Sequence, residues 1–302
     1  MPSFTNYLVS WYIWWQYKGT WQTPEALNRR IAQNRKNGAT AHLPPDHMHR
    51  RYIIEETQRP EGYTVYTVAP KSETPTQARI MYLHGGGFVF EITAQHWAFV
   101  AELADRLQAV VTVPIYPLGP ETPVLDMYDR VQPLYNELAA DPDPTPFWAV
   151  GDSAGGTMTL VMTQQARLAG VPTASRLVPI TPCTDSSLVN PDMHAMAPRD
   201  PWLDVPGIAE ITRLICPGVD TKNPRVSPIY GDLAFPPMLA LAAGTDCLMP
   251  DTKKMVELAR EQGTQVELVI GEGMIHVWPL LPIPEARVAI DKIVEWLEES
   301  KK

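Results

Sequence analysis

Phe147-Trp148-Ala149-Val150-Gly151-Asp152-Ser153-Ala154-Gly155 joins a strand-like apolar run to the start of a helix. An apolar run over residues 147–150 enters a G-x-S-x-G sequence, and a helical pattern starts at once over residues 154–169. A serine on a sharp strand-to-helix turn is held in a strained backbone conformation that only small flanking residues permit. Its Oγ then projects from the carboxyl end of a sheet. Ser153 is the candidate nucleophile on this reading, with Asp152 and Gly155 as its immediate support.

Outward from this point the chain alternates short apolar runs with longer amphipathic ones. Residues 78–83 precede 95–107, and residues 109–114 precede 124–140. After residues 176–180 the pattern is interrupted, then resumes with residues 238–242, 250–262, 265–270 and 284–299. Such alternation predicts an α/β fold, a mostly parallel central sheet with helices on both faces. Residues 52–56 and 62–68 read as an antiparallel hairpin leading into it. Residues 49–183 and 235–302 are therefore expected to form the body, with residues 1–48 and 184–234 as two parts of a helical cap. The first cap segment carries Trp11, Tyr12, Trp14, Trp15, Tyr17 and Trp21. Aromatics at that density are expected to pack between cap and body, some of them lining a pocket or guarding its mouth. Binding at a membrane interface is disfavoured here by the absence of a basic face.

Composition narrows the function. The 302 residues hold 25 Lys and Arg against 34 Asp and Glu, a formal charge of −9. Nucleic acid is not the expected partner, because its affinity rests on clustered Lys and Arg. Cys183, Cys216 and Cys247 are an odd number without metal-type spacing, and a chain of this length builds a core without disulfides. No stretch approaches the roughly 18 apolar residues of a membrane span, and residues 1–25 lack a charged start and a small-residue cleavage site. A cytoplasmic protein without stable membrane insertion is expected.

An acyl-transfer serine needs donors aimed at the developing oxyanion. His84-Gly85-Gly86-Gly87 directly follows the run 78–83, and its glycines let backbone N–H groups turn inward. The alternative of a phosphate loop lacks a Walker-type lysine and the G-x-G-x-x-G spacing. In this architecture the base lies downstream of the serine. Of His194 and His276, only His276 follows a strand, through residues 271–275. The acid is expected after residues 238–242, where Asp246 and Asp251 compete. Asp246 is nearer the strand end, while Asp251 opens a helix, where a carboxylate has a capping role regardless of chemistry. His42, His47, His49 and His96 lack the spacing of a metal site, and no metal or cofactor is expected.

Taken together, His84-Gly85-Gly86-Gly87-Phe88, Gly151-Asp152-Ser153-Ala154-Gly155-Gly156, the set Gly244, Asp246, Leu248 and Asp251, and His276-Val277-Trp278 resemble the hormone-sensitive-lipase-like esterases (bacterial family IV) of the α/β-hydrolase superfamily. The resemblance implies an α/β-hydrolase fold with a two-part cap, and oxyanion N–H groups from Gly86, Gly87 and Ala154. It implies a carboxylesterase with a Ser-His-Asp triad and an acyl-enzyme, acting on small-molecule esters of short to medium acyl chain. A deacetylase or amidase of a bulkier natural product is the second reading, and a non-catalytic receptor on the same fold is a third, against which the retained His276 argues. Long-chain lipase activity is disfavoured, since the acidic chain offers no obvious interface anchor. Members often dimerise through the last strand and helix, so a homodimer is compatible with the resemblance. One departure is local: in Tyr116-Pro117-Leu118-Gly119-Pro120-Glu121, Pro117 stands where the family carries an arginine, while Glu121 is kept.

Overall fold

The structure is a computed structural model and describes residues 2–38, 42–74 and 76–301; Met1, Ala39, Thr40, Ala41, Pro75 and Lys302, some of them within the expected cap and body segments, lie outside the described residues. The chain opens with α1 (Phe4–Ile13), a π turn (Trp14–Lys18), a single turn α2 (Gly19–Trp21) and α3 (Pro24–Asn37). Strands β1 (Tyr52–Gln58) and β2 (Thr64–Pro70) follow as a hairpin. Then β3 (Ala78–Leu83), α4 (Ala94–Leu107), β4 (Ala109–Ile115), α5 (Val124–Ala140), β5 (Phe147–Asp152), α6 (Ala154–Leu168) and β6 (Arg176–Ile180) alternate. An insertion carries α7 (Pro191–Met196) and α8 (Val205–Ile215) before β7 (Met238–Ala243), α9 (Met249–Glu261), β8 (Val266–Gly271) and α10 (Pro284–Glu298).

The eight strands of the described residues form one sheet in the order β1-β2-β4-β3-β5-β6-β7-β8. The pairs β1 with β2 and β2 with β4 are antiparallel, and every other neighbouring pair is parallel. This is an α/β-hydrolase fold. Burial explains the composition: each residue of β5 is buried, as befits a central parallel strand covered on both faces. On one face α4 lays down Trp97, Val100, Leu103, Ala104 and Leu107 at helical spacing, beside Ile293 and Leu297 of α10. On the other face α5, α6 and α9 cover the sheet through residues such as Tyr128, Met158 and Met255.

Register fixes where chemistry sits. Leu83 pairs with Gly151, Asp152 with Ile180, and Ala243 with Gly271, so the loops after β3, β5, β7 and β8 leave one edge together. That carboxyl edge is where open α/β sheets bind ligands. Helix α6 reaches it only because residue 155 carries no side chain: a Cβ on Gly155 would lie 1.8 Å from the Leu83 carbonyl oxygen.

The N-terminal segment and the insertion lock onto each other. Lys18, buried, donates to the carbonyls of Ala197 (2.7 Å) and Leu203 (2.6 Å) and pairs with Asp204 at 3.1 Å. Gly207 of α8 lies against the backbone of Trp21, 2.7 Å from ideal Cβ to carbonyl oxygen. The expectation for the aromatics is corrected in part. Trp21 is buried, Tyr17 packs against Trp202 (5.8 Å), and Tyr12, though exposed, borders a cavity with both, but Trp11, Trp14 and Trp15 stand exposed, because α1 turns Asn6 and Ile13 inward instead.

Gly155→Ala is expected to cost about 2 kcal/mol or more, since backbone atoms on both sides of the contact must shift. Gly19→Ala, with helical φ and nothing within 4 Å of its Cβ, is expected to be neutral or slightly stabilising. Urea midpoints of the two variants check the contrast; equal midpoints would contradict it.

Candidate active site

Ser153 sits between β5 and α6 with φ 50 and ψ −119, a left-handed value that serine seldom adopts. Its N–H donates to the Ile180 carbonyl at 2.8 Å, which pins the turn to the neighbouring strand. The Oγ lies 2.8 Å from His276 Nε2, and His276 Nδ1 lies 2.6 Å from Asp246 Oδ2. Asp246 Oδ1 accepts the Leu248 N–H at 2.8 Å, so the carboxylate is held at both oxygens. The structure thus brings together Ser153, Asp246 and His276 from the ends of β5, β7 and β8. Asp251 and His194 are elsewhere: Asp251 accepts from the Asn190 amide at 2.6 Å, and His194 is exposed beside the Leu188 carbonyl.

Burial opposes a charge on His276, but the adjacent Asp246 carboxylate outweighs it and holds the imidazole above the ordinary histidine value of 6.5. A short hydrogen bond from Nδ1–H to Asp246 also leaves Nε2 free to accept the Ser153 proton.

The loop after β3 presents unpaired backbone N–H groups to the same edge. Gly86 has φ +109, and a Cβ there would meet the Phe90 carbonyl oxygen at 2.6 Å. Among the described residues, no hydrogen bond takes the N–H of Gly86 or Gly87. Ala154 opens α6, where an N–H has no partner within its helix and carries part of the positive helix end. Gly86, Gly87, Asp152, Ser153 and His276 line one cavity of about 510 Å³, walled by Tyr12, Trp21, Phe90 and Trp202.

Asp152 ties this loop to β5. Its Oδ1 accepts the Tyr82 hydroxyl (2.5 Å) and the Gly85 N–H (3.1 Å), and its Oδ2 lies 3.3 Å from His96 Nε2. Burial alone raises its pKa, but His96 and the Tyr82 hydrogen bond hold it below the usual carboxylate value, so it stays ionised. His84 is stacked on Tyr116 at 4.3 Å, and the Tyr116 hydroxyl donates to the His84 carbonyl at 2.6 Å. Burial and the nearby His96 push His84 down to about 3, so it is a neutral wedge and not a base.

Several partners escaped sequence reasoning. Asp200 and Trp202 come from the insertion: Trp202 stands edge-on to His276 at 6.0 Å, and Asp200 accepts the N–H groups of Trp202, Leu203 and Cys247. Burial and the Asp246 charge push Asp200 up to about 6. Asp200, Asp246 and Cys247 cluster within 4.8 Å, but the carboxylates are already engaged, and burial pushes the thiol pKa upward. His96 offered one signal, its position three residues after Thr93, where it closes a capping box. Glu121 is exposed and pairs not with residue 117 but with Arg35 of α3 (3.2 Å), which also donates to Gly119 O at 2.6 Å. A guanidinium from the N-terminal segment therefore meets the Glu121 carboxylate in a chain with Pro117 at the arginine position.

Acting as a base, His276 would have to be neutral to take a proton, so activity should fall as pH drops through its raised pKa. In Asp246→Asn that support is lost: the acid limb of the kcat/KM profile should move to lower pH, and kcat should fall by roughly 10³- to 10⁴-fold. A pH–rate profile unchanged in the variant would contradict the arrangement.

Comparison with known proteins agrees with this geometry. Residues 80–280 match the family described as having the alpha/beta hydrolase fold. An esterase of Acinetobacter venetianus is 26% identical over 231 residues, covering 75% of this chain and 76% of the relative. An acetyl-hydrolase of Streptomyces hygroscopicus is 28% identical over 218 residues, covering 70% and 72%. A solved structure of a hormone-sensitive lipase from a metagenome library superposes with a TM-score of 0.73 at 26% identity, covering 91% of this chain and 98% of that one. With the fold, the edge-clustered loops and these relatives in agreement, the chain belongs to the α/β-hydrolase family, in its hormone-sensitive-lipase-like branch of carboxylic ester hydrolases.

Proposed function

We propose that Ser153, His276 and Asp246 hydrolyse small-molecule carboxylic esters of short to medium acyl chain through an acyl-enzyme. His276 Nε2 takes the Ser153 proton as Oγ attacks the carbonyl carbon. The N–H groups of Gly86, Gly87 and Ala154 hold the tetrahedral oxyanion, and His276 returns the proton to the leaving alcohol. Water then attacks the acyl-enzyme by the same route, releasing the acid and restoring Ser153. Asp246 fixes the imidazole tautomer and stabilises the imidazolium throughout. Residues 1–48 and 184–234 form the two parts of a cap over the body, residues 49–183 and 235–302.

The observation that carries this reading is the unbroken hydrogen-bond chain from Asp246 through His276 to Ser153, opening onto a cavity beside two unengaged N–H groups. Its size supports a small ester, since the cavity of about 510 Å³ falls within the range for small ligands. The acetyl-hydrolase relative supports acetyl as one favoured acyl group.

On p-nitrophenyl esters from acetate to palmitate, kcat/KM should be highest at short to medium chains. Ser153→Ala should lower kcat by about 10⁴-fold or more. A maximum at palmitate would contradict the chain-length assignment, and a Ser153→Ala enzyme within tenfold of wild type would contradict the nucleophile.

A further inference from the structure

Helix α1 shows its apolar side to water. Its inward side carries Asn6, whose amide donates to the Gly273 carbonyl at 3.2 Å, the Ser10 hydroxyl, and Ile13. Its outward side carries Phe4, Tyr7, Leu8 and Trp11, continued by Trp15 in the π turn, at 76, 59, 52, 62 and 63% exposure. These positions follow the i, i+3, i+4, i+7 rule of a single stripe. Trp14 flanks it, and the Trp11 and Trp15 rings stack with centroids 6.4 Å and planes 5° apart. A contiguous aromatic ridge of this kind marks an interaction surface, unlike apolar residues scattered singly.

Charge identifies what covers it. Residues 2–17 hold no Asp, Glu, Lys or Arg, and residues 2–38 hold Lys18, Arg29, Arg30, Arg35 and Lys36 against Glu25 alone. This segment is thus formally +4 in a chain of −9; with Lys18 buried against Asp204 and Arg35 paired with Glu121, Arg29, Arg30 and Lys36 are its outward cations. Arg29, Arg30 and Lys36 are exposed on α3, and Arg30 lies over the Tyr17 ring at 5.5 Å. A cation beside the ridge, absent from α1 itself, is therefore supplied by α3 through Arg30. Leu8, Tyr12 and Arg30 also border the cavity that holds Ser153, so ridge, basic side chain and active-site mouth share one side. Two copies paired ridge to ridge would oppose like charges and cover both mouths. An anionic lipid surface is attracted by the same charge, and Trp and Tyr rings settle at the headgroup level.

We propose that this ridge, from Phe4 to Trp15, docks the enzyme on anionic phospholipid membranes with its active-site mouth toward the lipid. Esters carried in that surface then reach Ser153 without crossing bulk water. Such docking is peripheral and requires no stable membrane insertion; the outward turn of α1 is the feature that sequence alone did not expose.

The test is flotation with vesicles of phosphatidylcholine, with and without phosphatidylglycerol. Wild type and Ser153→Ala should both float with the anionic vesicles, less so in high salt and less with phosphatidylcholine alone. Trp11, Trp14 and Trp15 do not line the cavity. The triple variant Trp11→Ser, Trp14→Ser, Trp15→Ser should therefore lose about tenfold or more in partitioning. It should hydrolyse soluble p-nitrophenyl acetate within about twofold of wild type, as surface changes remote from the reacting atoms do. Wild type that fails to float, or a triple variant that floats equally well, would overturn the proposal. So would a wild-type dimer, seen by sedimentation velocity, that the triple variant dissociates while neither binds vesicles; that outcome would assign the ridge to self-association.

Discussion

The rest of the site depends on how closely α6 presses against the carboxyl ends of β3 and β5. Gly155 lies so near the Leu83 carbonyl that no side chain fits between them, and a Cβ on Gly151 would meet the Gly155 carbonyl oxygen at 2.4 Å. This contact forces the turn at residue 153 to be sharp. Ser153 takes its positive φ as a consequence, and the strain is held by the buried strands on either side, whose ladders continue through Asp152 and Ile180. A looser helix would let the serine relax and carry its Oγ away from His276. The strain is thus a positional device maintained by packing.

Electrostatics follow from that geometry. Two buried histidines lie at the sheet edge under opposite influences. His276 is next to Asp246 and is held more basic than an ordinary histidine, while His84 is enclosed among rings and kept neutral. The buried acids are divided the same way. Asp152 is kept ionised by His96 and Tyr82 and organises the loop 84–87, whereas Asp200, close to the Asp246 charge, is pushed up. Environment separates groups of the same type into different roles.

Much of this was legible in the residues. The alternation of apolar and amphipathic runs located the sheet and its helices, and β5 extends past its apolar run only because the ladder to β6 includes Gly151 and Asp152. Ser153 and His276 were legible from a motif and from their places after strands, and Asp246 from its nearness to a strand end. What stayed hidden depends on contacts between distant segments. Tyr82, His96 and Asp152 meet only once β3, α4 and β5 are assembled, and the Arg35 pairing with Glu121 joins residues far apart in sequence. The aromatics of α1 misled for a different reason. Periodicity reveals a stripe but not which way it faces, and here Lys18 and Asn6 anchor the segment with the stripe outward.

On the proposed function, this strained serine is the nucleophile of an acyl-transfer site. This role is tested most directly by mass spectrometry after treatment with a p-nitrophenyl phosphonate, which forms a stable covalent adduct with an activated serine. A single adduct per chain is expected, mapped to Ser153 and formed far more slowly in His276→Ala. Labelling of another residue, or none in a folded wild-type protein, would contradict this role.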